Sequence, residues 1–208
     1  MSEDHTTELA IFPLGTVLFP GGRLNLRIFE RRYLDLITAC LREDRGFGTC
    51  LIRRGTEVDA DAVPHDVGTE VRIIDWEQRR DGLFGITVEG VRRFLILERW
   101  VPPGAAQRAR VEWLPETVTD ADRSAPEPAE LAELVAELGD LLGRILDRVD
   151  GPYATIPRHL DDPAWVSGRL AELLLMPDEA RQQLLELDSP GERLTLIAQA
   201  LRETGRSD

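Results

Sequence analysis

IFPLGTVLFPGGRLNLRIFERRY, residues 11–33, decides how this 208-residue chain folds. An apolar run enters Pro13-Leu14, and a second, Val17-Leu18-Phe19, stops at Pro20-Gly21-Gly22. The alternating segment Leu24-Asn25-Leu26-Arg27-Ile28 then leads to a charged helix start at Glu30. Proline fixes φ and removes a donor, whereas glycine opens positive φ, so this spacing demands one tightly turned path. Alternation after the turn predicts a strand, and helical spacing after Glu30 predicts a helix.

Outward from this stretch, the first half reads as β-rich. Residues 8–12, 24–28, 47–52, 70–76, 83–89, 93–100 and 108–113 are apolar and mostly bounded by turn residues, which predicts strands. Asp81-Gly82 between two of them signals a hairpin. Gly90 marks a tight turn or a bulge. One helix interrupts, from Phe29 or Glu30 to about Glu43, with Tyr33, Leu34, Ile37, Cys40 and Leu41 on one face.

Residues 114–129 are acidic, carry three prolines and lack an apolar period, so they form either an interdomain linker or a long surface loop. The second half is helical. Leu131, Leu134, Val135, Leu138, Leu141, Leu142, Ile145 and Leu146 keep one stripe, read either as packing within a bundle or as a seam for a partner helix. Asp162-Pro163 has the form of an N-cap followed by Pro at N1. Pro177-Asp178-Glu179 opens a shorter helix, and Ser189-Pro190-Gly191-Glu192 has capping-box spacing. The expected division is a β-rich domain over 1–115 and a helical one over 116–208.

Net charge is −13, distributed unevenly: residues 1–110 carry 17 acidic and 16 basic side chains, residues 111–208 carry 21 and 9. Every basic residue is arginine. Without lysine there is neither a P-loop cation for phosphates nor a Ser-Lys dyad. No serine sits in a G-x-S-x-G turn. His5, His65 and His159 are scattered, where metal sites need close ligand pairs. Cys40 and Cys50 fall in apolar patterns and read as buried thiols. No apolar run approaches the ~20 residues of a membrane helix, and the acidic start does not resemble a signal peptide. These features predict a cytoplasmic, non-catalytic protein with no cofactor, no metal and no membrane partner.

The ordered set of segments carries a family resemblance. Residues 11–33, then Gly46-Phe47-Gly48, Val67-Gly68-Thr69 ahead of Val71-Arg72-Ile73, and Val88-Glu89-Gly90-Val91-Arg92-Arg93-Phe94 resemble the N-terminal, substrate-binding domain of Lon proteases. Asp161-Asp162-Pro163, the run from Leu184 to Leu187, and Glu192-Arg193-Leu194 continue the likeness, which spans about residues 8–203. At 208 residues the chain is similar to the stand-alone bacterial members without ATPase or protease parts. The resemblance implies an α+β fold: a PUA-like β-rich pseudobarrel with one helix, followed by an α-helical bundle. It also implies binding of unfolded or degron-bearing polypeptides, independent of ATP.

That function needs a surface. Phe12, Leu14, Phe19, Phe29, Glu30, Tyr33 and Arg93 are the candidate peptide-binding residues, as an apolar groove bordered by charge, although each also suits packing. Arg92 and Arg93 should project to opposite faces, with one of them meeting a buried carboxylate. Trp76 and Trp113 read as packed side chains, with exposed anchors as the alternative. Two other functions stay open: RNA binding by the PUA-like part, disfavoured by the charge, and a hydrolase with an unrecognised site. Self-association is left open.

Overall fold

Residues 6–78, 84–115 and 128–204 are described by the computed structural model. The chain divides into two compact units, Met1–Leu114 and Pro115–Asp208.

The first unit is built from β1 (Thr6–Leu14), β2 (Arg23–Ile28), α1 (Arg31–Glu43), β3 (Phe47–Arg54), β4 (Val63–Pro64), β5 (Val67–Gln78), β6 (Phe84–Trp100) and β7 (Gln107–Trp113). Strand order is β1-β7-β6-β5-β3-β4, and parallel pairing of β1 with β3 closes five of the strands into a ring. Every other pairing is antiparallel. β2 lies outside the ring, on the first half of β6.

From Leu9 to Leu14 β1 is buried on both faces, and its two-residue period feeds two cores. Leu9 and Ile11 meet Cys50, Phe94, Ala109 and Val111. Ala10, Phe12 and Leu14 join the larger cluster under α1 with Tyr33, Leu36, Ile37, Phe47, Val71, Ile86 and Val88. The first cluster is crowded. A Cβ on Gly48 would stand 2.7 Å from Phe94 and 2.8 Å from Ile11. A Cβ on Gly68 would collide with Cys50 and Phe94. Only glycine lets the phenyl ring of Phe94 fill this space.

The Pro20-Gly21-Gly22 turn has a definite receptor. Gly21, at φ +75°, donates its N–H to Gly90 O at 2.8 Å, and Gly90 N donates to Gly22 O at 2.9 Å. The Phe19 carbonyl closes over Gly90, leaving no room for a Cβ. Thr69 Oγ1 donates to Leu18 O at 2.6 Å and fixes the same loop. Segments 83–89 and 93–100, expected as separate strands, are one strand, β6. The register slips at Val91 rather than turning, so the bulge reading of Gly90 holds and the turn reading does not. Asp81-Gly82 lies outside the described residues.

α1 buries Leu36 in addition to Tyr33, Ile37 and Cys40, whereas Leu41 is exposed. Its N-cap, Glu30, makes no side-chain cap bond; the carboxylate instead meets Arg32 at 2.9 Å. Arg92 donates to the buried Glu70 carboxylate at 2.7 Å and lies 3.5 Å over the Trp113 ring, so Arg92 meets a buried carboxylate.

The second unit holds α2 (Pro128–Leu146), a short 3-10 turn (Gly151–Tyr153), α3 (Pro163–Leu173), α4 (Asp178–Glu186) and α5 (Pro190–Thr204). The leucine stripe of α2 packs within the chain: Val135, Leu138, Leu142 and Leu146 are buried, and α2 touches α3 and α5. Asp162 caps α3 by accepting from Ala164 N at 2.8 Å and Trp165 N at 3.3 Å. Ser189 Oγ accepts from Glu192 N at 3.2 Å at the start of α5. Fully buried Arg169 pairs with Glu172 at 2.7 Å, and Tyr153 OH donates to the same carboxylate at 2.7 Å. No helix among the described residues is long and apolar enough to cross a membrane.

Candidate functional site

Among the described residues, β5 beyond Val71 pairs only with β6, because β3 pairs with it only from Thr69 to Val71. β2 covers the other side of the same part of β6. The result is a three-stranded apron, β2–β6–β5, extending from the ring. Its cross-strand rows follow from the register. Leu26, Ile86 and Trp76 share one face, next to a row of Ile28 and Phe84. Asn25, Thr87 and Asp75 form a row on the other face, followed by Arg27, Gly85 and Glu77.

The apolar face runs from core to solvent. Ile28, Ile86 and Val88 are buried, while Leu26 and Phe84 pack on the core half-covered. Trp76 stacks on Phe84 with centroids 5.7 Å apart and planes 19° from parallel, yet is 57% exposed. Phe29, one residue beyond the Ile28–Phe84 pair, is 58% exposed. Large aromatic side chains left in water beside a continuous core form a surface suited to apolar contact. The polar face holds a cleft of about 410 Å³ floored by Gly85, with Thr87 Oγ1 donating to Asn25 Oδ1 at 2.9 Å.

The residues expected to wall a groove mostly lie elsewhere. Phe12, Leu14, Phe19 and Tyr33 are buried in the structure, because β1 has no solvent face from Leu9 to Leu14 and the Phe19 loop is clamped on β6. Tyr33 stacks on Phe12 at 3.8 Å, 6° from parallel. Arg93 is fully buried opposite Thr69. Phe29 alone of the seven presents a large apolar surface, with Glu30 half-buried beside it. Trp76, expected to pack, is exposed, and Phe84 had no distinguishing signal.

Glu30 belongs to a network that fastens the loop after β3. Arg32 Nη2 donates to Glu57 O at 3.1 Å as well as meeting Glu30, and its guanidinium sits 4.6 Å over the Tyr33 ring. Glu57 Oε1 accepts from Gly15 N at 2.8 Å. Burial pushes the Tyr33 phenol up to about 12, against a smaller opposing pull from Arg32. Burial likewise raises both cysteine thiols. His159 lies edge-on to Trp165, 5.8 Å away. Among the described residues no three His, Cys, Asp or Glu side chains are grouped to hold a metal ion.

Comparison with known proteins places this geometry. Residues 8–203 match the family model of the ATP-dependent protease La (LON) substrate-binding domain. The chain is 26% identical over 204 residues to a Lon protease of Anaeromyxobacter dehalogenans, covering 96% of this chain and 23% of that protein. Lon protease 2 of Myxococcus xanthus is also 26% identical over 204 residues, at 96% and 24% coverage. The chain thus spans about a quarter of these relatives' length. Among solved structures, a Lon N-terminal domain protein from Xanthomonas campestris superposes with TM-score 0.71 at 36% identity, covering 92% of this chain and 97% of that one. The N-terminal domain of a Mycobacterium avium complex Lon protease shares the fold, with TM-score 0.66 at 20% identity over 92% and 96%.

Proposed function

The chain belongs to the LON substrate-binding domain family, and from that premise we propose that it is a non-catalytic module recognising unfolded or degron-bearing polypeptides through the β2–β6–β5 apron. The observation that carries this reading is the aromatic lip. Trp76 on Phe84, with Phe29 beyond the Ile28 pair, continues the core into water at a place no other described element covers. Unfolded chains differ from folded ones chiefly in offering apolar side chains and unpaired backbone, and the apron offers both in return. Several surface arginines are already neutralised, by Glu89, Glu70, Glu98 and Glu8. That pairing weakens the cationic track a phosphate backbone requires.

Fluorescence anisotropy of labelled α-lactalbumin tests the reading. The reduced, carboxymethylated form should bind and the native, disulfide-intact form should not. Binding of the unfolded form no tighter than to an unrelated acidic protein overturns it.

A further inference from the structure

We propose that the outer edge of β2 is a strand-addition site for an extended polypeptide that alternates apolar residues with carboxylates; this deepens the polypeptide-recognition reading and rests on it. The phase of the β2–β6 ladder is set where Gly90 N donates to Gly22 O. Bonded pairs alternate in an antiparallel ladder. The main-chain groups of Leu24, Leu26 and Ile28 therefore point to β6, and those of Arg23, Asn25 and Arg27 point away. Among the described residues no hydrogen bond engages these outward groups, and Asn25 and Arg27 are exposed.

The opposite edge of the apron is guarded. The same phase turns the Trp76 N–H outward from β6, and there it donates to Asp75 Oδ1 at 2.8 Å. The register slip at Ile74 bends that edge further. An intramolecular acceptor and a bulge are the usual means of blocking strand addition. β2 has neither, so one edge is closed and the other is open.

Charge selects the occupant. Arg23 is already held by Glu89 at 2.8 Å. Arg27 has no ion-pair partner among the described residues and faces where the polar side chains of an added strand would stand. A carboxylate there forms a cross-strand pair. Residues between would cover half-buried Leu24 and Leu26 on the core side. A second copy fits poorly: antiparallel pairing of β2 with itself about Asn25 sets Arg23 of each chain against Arg27 of the other, like charge against like.

The probes are capped, labelled peptides alternating valine with glutamate or valine with lysine. Wild type should favour the glutamate peptide, and Arg27→Glu should reverse that preference. Asn25→Pro deletes an outward N–H without touching the ladder to β6, a place where an edge strand tolerates proline. It should weaken the glutamate peptide about tenfold, the loss of one backbone bond with its acceptor left unpaired, while Asn25→Ala, which removes only the side chain, stays within about twofold. Should Asn25→Pro fail to fold, N-methylation of the peptide amides facing β2 makes the same deletion from the other side. Equal binding by the proline and alanine variants, or by the methylated and plain peptides, overturns strand addition even where unfolded α-lactalbumin still binds. A wild-type dimer in sedimentation that Asn25→Pro abolishes assigns the edge to a second copy and also overturns it. No binding of unfolded α-lactalbumin at all overturns the recognition reading itself.

Discussion

Trp76→Ala should weaken recognition while leaving the protein folded. With 57% of its surface in water, the side chain leaves about 140 Å² of a ~250 Å² aromatic for a ligand to cover. At ~25 cal/mol per Å² that is a ceiling of about 3.5 kcal/mol. Incomplete cover and the ordering of the ligand reduce it to about 1–2 kcal/mol, or roughly 5–30-fold in affinity. The buried remainder, mostly the stack on Phe84, makes the same change cost about 1–2 kcal/mol of folding. Phe12→Ala works the other way. Its ring is 6% exposed and stacked on Tyr33, so truncation should cost about 3–5 kcal/mol and affect binding only through unfolding. The assay is anisotropy of labelled, carboxymethylated α-lactalbumin well below both melting temperatures. Trp76→Phe should recover most of the affinity. A folded Trp76→Ala protein binding within twofold of wild type would refute the aromatic lip as the contact surface.

The other expectations concern the scaffold. The Tyr33 phenol titrates near 10.0 when unfolded and about 12 when folded, because burial disfavours its anion. The stabilisation is therefore complete below pH 10 and lost as pH rises from 10 to 12. Urea melts of wild type and Tyr33→Phe should diverge across that window, wild type losing about 1 kcal/mol more by pH 11; parallel pH dependence would contradict the assignment. Gly48→Ala drives a methyl into Phe94 and Ile11 and should cost about 1–3 kcal/mol, partly restored by Phe94→Leu in a double-mutant cycle of thermal melts. Asp162→Ala removes the acceptor for Ala164 N and Trp165 N and should lower the stability of the helical unit by about 1 kcal/mol, measured by calorimetry.

The elements themselves were legible where local chemistry determines them. Asp162-Pro163 and Ser189 start helices because a side-chain oxygen and a missing N–H act within one turn, without help from distant residues. Gly90 was ambiguous for the opposite reason. A glycine between two apolar runs fits a turn or a bulge equally well, and what selects the bulge is Phe19 O arriving from seventy residues upstream. Phe12 and Tyr33 were legible as large and apolar but not as buried. β1 becomes interior only when β3 and β7 flank it and α1 covers one face, and each of those partners is remote in sequence.

The candidate surface depends on a length mismatch, which is harder to read than any motif. β5 and β6 continue past the point where β3 stops pairing, so residues 72–78 lose a neighbour they have no local means of announcing. In that stretch Ile73 and Trp76 would be ordinary core residues had β3 begun a few residues earlier. The same mismatch leaves β2 as an outer strand, since it lies on the free part of β6 rather than in the ring. Exposure of Trp76, openness of the β2 edge and the Asp75 guard on the other edge are thus consequences of one topological fact. A chain selected only for stability would gain by covering Trp76 and closing β2 as it closes β5. Among the described residues, guarding one edge while leaving an aromatic side chain and a second edge uncovered is the arrangement expected where an extended polypeptide completes the sheet.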